Sequence, residues 1–319
     1  MLINSHKIKM PFNVSSAFRI NLLKCSLIAS FTCLSAITFS TVATAQSNSS
    51  LKIVATFLPI DLFTQAVVGD TEVDILIAPG TEVHDYQATP DDAKTLAAAD
   101  VLVENGLGIE EFLAGLVTNV GNSQLQQIDS SEGITVIEEE QHEEEPGHDR
   151  KGVNPHVWLD PVLAQQQVAT IRDRLIAIDP TNADSYRTNA EAYIQQLKQL
   201  DGEFKQKLAP VKGCNFITFH DAFPYLAQRY GLKQEAIVEI PEDSITPKDI
   251  QRVQQAAQKY QVKALLTEPG IEDKRIQQIS SDLNLPLEVI DPLESGETDP
   301  QYYFQVMRSN LEALERACQ

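Results

Sequence analysis

The sequence predicts an α/β fold whose parallel sheets are covered by helices on both faces. Short apolar, β-branched runs alternate with segments of helix length, which is the pattern of strands that are buried on both sides. The runs form two groups of four, and the segment 182–208 between the groups carries a helical apolar stripe. A length of 319 residues with 43% hydrophobic side chains suits one large or two medium α/β domains.

Eight runs are predicted to form strands, and helices are predicted to begin where a capping oxygen precedes a proline. Such capping oxygens occur at Thr89, Asp160 and Thr246. The predicted strands are 53–57, 73–77, 101–103, 134–137, 216–219, 237–240, 264–267 and 287–290.

The central segment 182–208 predicts a single long helix that is entered through Asp179 and Pro180. At 1.5 Å per residue it is about 40 Å long, which is enough to brace two lobes. An ordinary surface helix of a single domain is the alternative. The stripe consists of Ala183, Tyr186, Ala190, Tyr193, Ile194, Leu197, Leu200, Phe204 and Leu208.

Residues 1–45 differ in composition from the rest of the chain. They contain four basic and no acidic residues, and a weakly polar run at 25–39 precedes the Ala-Thr-Ala sequence that ends at Ala45. This pattern predicts a secretory signal that is cleaved after Ala45 and an exported mature protein, with an uncleaved anchor as the alternative. No later stretch reaches the roughly 18 to 20 apolar residues of a membrane span, so we expect no membrane insertion after cleavage.

The formal net charge of −20 limits the possible partners. It opposes binding to phosphate backbones and to anionic lipid, and it is compatible with cations as ligands. Nucleic acid is therefore not an expected partner.

Two cysteines, Cys214 and Cys318, remain once the predicted signal is removed. An even number of cysteines in an exported protein makes one disulfide a candidate, between the start of the last domain and the C-terminal helix. Two separate thiols are the alternative.

The segment 138–152 contains seven carboxylates together with His142 and His148. Like charges at this density repel one another, which predicts a mobile surface loop. The segment is either a solvated charge run or a site of weak cation capture by its histidines and carboxylates.

Three other histidines lie near predicted strand ends. His84 follows the strand 73–77, His220 follows the strand 216–219, and His156 lies between the acidic segment and the next helix. Asp291 directly follows the strand 287–290. Because the carboxyl ends of parallel strands form the ligand crevice of open sheets, these residues can converge. Three imidazoles and one carboxylate are the ligands that a four-coordinate zinc ion prefers, whereas manganese prefers more oxygen.

Four sequence segments resemble the metal-binding receptors of zinc/manganese ABC importers, the ZnuA-like solute-binding proteins. The similarity extends over essentially the whole chain beyond the predicted signal. It implies two lobes, 46–181 and 210–319, each with a four-stranded parallel sheet, joined by a rigid helix at 182–209 with the metal between the lobes. The segments are 83–91, 154–161, 219–223 and 265–269.

The resemblance implies His84, His156 and His220 as metal ligands, with Asp291 as the fourth. A histidine at position 220 resembles the zinc branch, because manganese receptors usually have a carboxylate there. Glu268 matches a glutamate of the family near the site, either as the partner of a ligand or as a variable oxygen donor. The acidic segment has fewer histidines than many zinc receptors.

These features and the resemblance together predict a monomeric periplasmic zinc receptor, not an enzyme, that delivers Zn²⁺ to the membrane permease of an ABC importer. Because a histidine must be deprotonated to coordinate, zinc affinity is expected to fall below about pH 6.5. A manganese receptor of the same family is the first alternative, and an adhesin-like surface protein on the same fold is another.

A zinc hydrolase is the alternative from a different class. It requires an open coordination position and a general base, for which Asp85, Asp221 or Glu268 are candidates. The sequence contains no His-Glu-x-x-His motif.

Overall fold

The protein is built around two parallel β-sheets. The computed structural model describes residues 51–137, 152–238, 246–270 and 274–319. The predicted cleavage site after Ala45 and the histidines of the acidic segment, His142 and His148, lie outside these residues.

The strands and helices alternate along the described residues, as predicted. The strand predicted at 237–240 begins earlier, and residues 239 and 240 lie outside the described part. The strands are β1 (Ile53–Ala55), β2 (Val73–Ile75), β3 (Val101–Glu104), β4 (Gln126–Asp129), β5 (Asn215–His220), β6 (Lys233–Val238), β7 (Leu265–Thr267) and β8 (Leu287–Val289). The helices are α1 (Leu58–Val68), α2 (Pro90–Ala98), α3 (Leu113–Val120), α4 (Pro161–Ile178), α5 (Ala183–Leu208), α6 (Pro224–Tyr230), α7 (Pro247–Tyr260), α8 (Lys274–Leu283) and α9 (Tyr302–Cys318).

Each half of the chain forms one four-stranded sheet, which confirms the predicted fold class. The strand order is β2-β1-β3-β4 in the first sheet and β6-β5-β7-β8 in the second. All neighbouring strands are parallel. The strand order reverses between β1 and β3 and again between β5 and β7, and ligands of such sheets bind beyond the carboxyl ends of the strands at these points.

The prediction of a strand at 134–137 is wrong. These residues form an irregular segment, and the edge strand is β4, which pairs with β3. Ile134 and Ile137 pack against a small apolar cluster that contains Tyr225, so contacts outside the sheet explain why this segment is apolar. Only Ile128 of β4 is buried, so this edge strand lacks the apolar run that marks the central strands.

The long central helix is confirmed as α5, with 26 residues. Asp179 caps a short 3₁₀ turn, Pro180–Asn182, that precedes the helix, so α5 begins slightly later than predicted. Most of the predicted stripe is buried, and α5 packs against α1 and α4 of the first half and against α6 and α9 of the second. The hydrophobic core therefore continues from one half of the chain to the other through this helix.

The predicted helix starts are confirmed by their capping hydrogen bonds. Thr89 and Thr246 each form a capping box with an aspartate three residues later, and the side chain of Asp160 accepts a hydrogen bond from the backbone of Val162. The predicted disulfide between Cys214 and Cys318 is also confirmed, and it ties the start of β5 to the end of α9. Every helix within the described ranges is too short or too polar to cross a lipid bilayer.

Candidate metal centre

Four side chains, three from connections and one from a strand end, converge between the two sheets. His84 lies between β2 and α2, His156 lies just before a 3₁₀ turn that leads into α4, and His220 is the last residue of β5. Glu294 lies between β8 and α9. One ligand atom from each of these residues lies within 4.8 Å of the other three, so the group has the size of a metal site.

The spacing of the donor atoms suits a tetrahedral zinc ion. Bonds of about 2.0–2.1 Å place tetrahedral ligand atoms about 3.3–3.4 Å apart. The Nε2 atoms of His156 and His220 are 3.3 Å apart. Oε1 of Glu294 is 4.0 Å from Nε2 of His84 and 4.0 Å from Nε2 of His156. Two ligands are thus already at the required spacing, and the other two need only a small approach.

Hydrogen bonds at Nδ1 fix the tautomer of two imidazoles. Nδ1 of His156 lies 3.1 Å from Oδ1 of Asn154, and Nδ2 of Asn154 donates to the carbonyl oxygen of Asp221, which settles the orientation of the amide. Nδ1 of His220 lies 2.6 Å from Oε1 of Glu268. Because both oxygens accept, both Nδ1 atoms carry the proton. The two Nε2 lone pairs therefore face each other, an arrangement that a cation between them satisfies.

Burial keeps His84 and His156 neutral. Burial, followed by the charge of His220, lowers the pKa of His84 to about 3. Burial, followed by the charges of His220 and His84, lowers the pKa of His156 well below its usual value. Since only a neutral imidazole binds metal, both residues are ready to coordinate at neutral pH and well below pH 6.5.

The site is buried on one side and reaches solvent on the other. His156 and His220 are fully buried, whereas the side chain of Glu294 keeps 14% of its exposure. Within the described residues, Nε2 of His84 is buried without a hydrogen bond. Burying a polar atom without a partner costs about 1–3 kcal/mol of folding free energy, and coordination to a cation would recover this cost.

Hydrogen bonds tie the ligand-bearing connections to one another. The backbone N–H of Gly80 donates to the carbonyl oxygen of Glu294 at 2.9 Å, which joins the connection of His84 to that of Glu294. The indole of Trp158 donates to the carbonyl oxygen of Pro292 at 2.8 Å. These bonds preorganise the site before any ion binds.

Asp291, which the resemblance implied as the fourth ligand, is not a member of the four-residue group. Its Oδ1 accepts a hydrogen bond from the backbone of Leu293, and its own backbone is held by Asn310. Burial raises the pKa of Asp291 to about 6. Leu293 adopts a left-handed conformation with φ of 67°, so Asp291 stabilises the turn that leads to Glu294.

The other predicted site residues surround the group. Oε1 of Glu268 accepts hydrogen bonds from both Nδ1 and the backbone N–H of His220. Asp221 contacts Asn154, and Asp85 is exposed beside His84. Reasoning from the sequence missed Glu294, although it lies only three residues beyond Asp291 in the same connection.

Comparisons with known proteins find zinc-uptake and zinc-binding relatives of this chain. Residues 53–317 match the family model described as "Zinc-uptake complex component A periplasmic". The chain is 32% identical over 288 residues to the high-affinity zinc uptake system protein ZnuA of Bacillus subtilis (strain 168), covering 86% of this chain and 90% of that protein. It is 32% identical over 283 residues to the zinc-binding lipoprotein AdcA of Streptococcus pneumoniae (strain ATCC BAA-255 / R6), covering 85% of this chain but only 56% of AdcA.

Solved structures show the same architecture. The Zn(II)-bound ZnuA-like domain of S. pneumoniae AdcA is similar with a TM-score of 0.71 and 30% identity, covering 84% of this chain and 99% of that chain. The laminin-binding protein Lmb of Streptococcus agalactiae, described as bifunctional with adhesin and metal transporting activity, is similar with a TM-score of 0.75 and 28% identity. That match covers 85% of this chain and 100% of the Lmb chain.

Proposed function

The chain belongs to the periplasmic zinc-uptake complex component A family, and on this premise we propose that it is a receptor that binds one Zn²⁺ ion for uptake. The observation that carries the proposal is the convergence of three imidazoles and one carboxylate within 4.8 Å. The relatives named for zinc uptake or zinc binding support the same cargo.

The proposed ligands are Nε2 of His84, His156 and His220 and a carboxylate oxygen of Glu294. Glu294 takes the place that the resemblance gave to Asp291, because Oε1 of Glu294 lies within reach of the histidines while Asp291 holds the turn. Glu268 orients His220 and strengthens it as a ligand, as carboxylate partners of metal-bound histidines do.

The donor set favours zinc over manganese as cargo. Three nitrogen donors and one oxygen donor suit a four-coordinate zinc ion, whereas manganese prefers oxygen ligands and a higher coordination number. The acidic residues around the group, Glu268, Asp291 and Asp221, add negative charge that favours any divalent cation.

The proposed role is binding and delivery without catalysis. A catalytic zinc site has three protein ligands and an open position for water, whereas four protein donors complete the tetrahedron here. Glu268, a candidate general base of the hydrolase alternative, already accepts two hydrogen bonds from His220. The site geometry therefore supports a receptor over a hydrolase.

The remaining parts of the proposal concern the whole protein. We propose that the signal 1–45 directs export, that 46–181 and 210–319 act as lobes joined by 182–209, and that the monomer delivers zinc to the permease of an ABC importer. The role of the family in uptake and the packing of α5 against helices of both halves of the chain support these assignments.

Calorimetric titration of chelator-stripped protein with zinc tests the proposal. We expect tight uptake of one ion per chain, and we expect His220→Ala to weaken it much more than the deletion of residues 139–150. The deletion removes two histidines of the acidic segment and serves as the control for loss of metal-binding side chains. Absence of tight one-to-one uptake by the unmodified protein would refute the proposed function, and equal small effects of the two changes would place the site elsewhere.

A further inference from the structure

The hydroxyl of Tyr225 joins two backbone segments near the proposed site. Tyr225 lies in the first turn of α6 and is 3% exposed. Its hydroxyl donates to the carbonyl oxygen of Asn154 at 2.6 Å and accepts from the backbone N–H of Ile137 at 3.0 Å. The backbone N–H of Asn154 also donates to the carbonyl oxygen of Ile137 at 3.1 Å. One phenol thus fixes Asn154 against the second half of the chain.

Asn154 in turn contacts the environments of two proposed ligands. Its Oδ1 faces Nδ1 of His156 at 3.1 Å and accepts from the backbone N–H of His156 at 3.2 Å. Its Nδ2 donates at 2.7 Å to the carbonyl oxygen of Asp221, the residue directly after His220. Asn154 is 1% exposed, so water does not compete for these bonds.

His220 ends β5 and Tyr225 lies in the first turn of α6, so only the short connection 221–223 and Pro224 separate them. Asn154 is hydrogen-bonded to the segment after His220 at two points, the carbonyl oxygen of Asp221 and the hydroxyl of Tyr225. The two bonds and the backbone between them form a closed path, and Asn154 links this path to His156. A closed path of this kind restricts the relative movement of the two imidazoles.

We propose that Tyr225 is a positioning residue for metal binding, which acts through Asn154 to keep Nε2 of His156 and Nε2 of His220 at the spacing that zinc requires. The inference rests on the proposed function and assigns a further residue to the same site. Partners that orient metal ligands contribute strongly to metal affinity without touching the ion.

The test is Tyr225→Phe, which removes the hydroxyl and keeps the ring in its apolar cluster with Val157 and Leu163. We expect zinc affinity, measured by competition with a chelator, to fall about tenfold. We also expect the visible absorption bands of the Co²⁺-substituted protein to change, because these bands report the geometry of the ligands around the ion. A purely structural role would lower stability and leave the cobalt spectrum unchanged.

The matched control is Tyr193→Phe. Tyr193 is equally buried, and its hydroxyl also donates to a backbone carbonyl, that of Pro300 at 2.9 Å. Its ring packs against Phe63 and Phe304, and its hydroxyl bonds neither to Asn154 nor to a proposed ligand among the described residues. The control is expected to keep the zinc affinity and the cobalt spectrum of the unmodified protein.

A Tyr225→Phe variant that retains either the zinc affinity or the cobalt spectrum of the unmodified protein contradicts the inference, as does the same loss in Tyr193→Phe. Failure of the unmodified protein to bind zinc would instead remove the proposed function itself.

Discussion

Replacing Glu268 tests how the protein controls its buried ligand His220. Oε1 of Glu268 lies 2.6 Å from Nδ1 of His220 and also accepts from the backbone N–H of His220 at 3.1 Å. Hydrogen bonds to a charged group contribute about 1.5–3 kcal/mol, and ionised partners make bonds about twice as strong as neutral ones. Glu268→Gln keeps an acceptor but removes the charge, so we expect a loss of about half this free energy, or about three- to tenfold in zinc affinity.

Glu268→Ala removes the acceptor altogether, so two buried donors of His220 lose their hydrogen bonds to Glu268. We expect zinc affinity to fall by about 10- to 100-fold, in line with other carboxylate partners of metal-bound histidines. Competition with a fluorescent chelator at fixed pH measures both variants. Glu203→Gln, which loses an exposed ion pair with Arg308, is the control for a general change in charge. Zinc affinity of Glu268→Ala equal to that of the unmodified protein would refute the role of Glu268 in orienting His220.

The remaining predictions concern pH, the fourth ligand and the disulfide. Because burial lowers the pKa of His84 to about 3, protonation of His84 is not expected between pH 7.5 and pH 5.5, and a His84 imidazole that titrates near pH 6.5 in NMR spectra of the metal-free protein would contradict this. The pKa values of His84 and His156 are lower in the folded than in the unfolded state, so the unfolded chain binds more protons below pH 6.5. The free energy of unfolding of the metal-free protein should therefore fall below pH 6.5 by up to about 1.4 kcal/mol per pH unit for each of these histidines. Denaturant titration at several pH values measures this change. Glu294→Ala is expected to weaken zinc binding by at least tenfold and Asp291→Asn by clearly less, and the reverse order in the chelator competition would restore Asp291 as the fourth ligand. The disulfide closes a loop with a sequence separation of 104 residues. Replacing both Cys214 and Cys318 by serine should lower the free energy of unfolding, measured in urea, by about 2–5 kcal/mol without changing zinc affinity. An unchanged unfolding midpoint would show that the disulfide adds no stability.

The elements that the sequence predicted correctly are those whose cause is local. The buried central strands have continuous apolar runs, the helix starts have capping side chains, and α5 has a periodic stripe. The edge strand β4 could not be recognised this way, because it pairs along only one edge and leaves most of its residues exposed.

Parts of the candidate site depend on contacts that are distant in sequence. The three histidines were found because strand ends converge at the edge of a parallel sheet. Glu294 lies beyond a strand end, and its position depends on the left-handed backbone of Leu293 and on the hydrogen bond of Asp291. The contact between Asn154 and Tyr225 joins residues 71 positions apart, and no local pattern indicates it.

The most direct test of the proposed site is a crystal structure of the zinc-loaded protein with anomalous scattering recorded at the zinc edge. One strong anomalous peak is expected within about 2.2 Å of Nε2 of His84, His156 and His220 and of a carboxylate oxygen of Glu294. A peak bound by the segment 138–152, or a zinc ion that shares fewer than three of these histidines, would contradict the account.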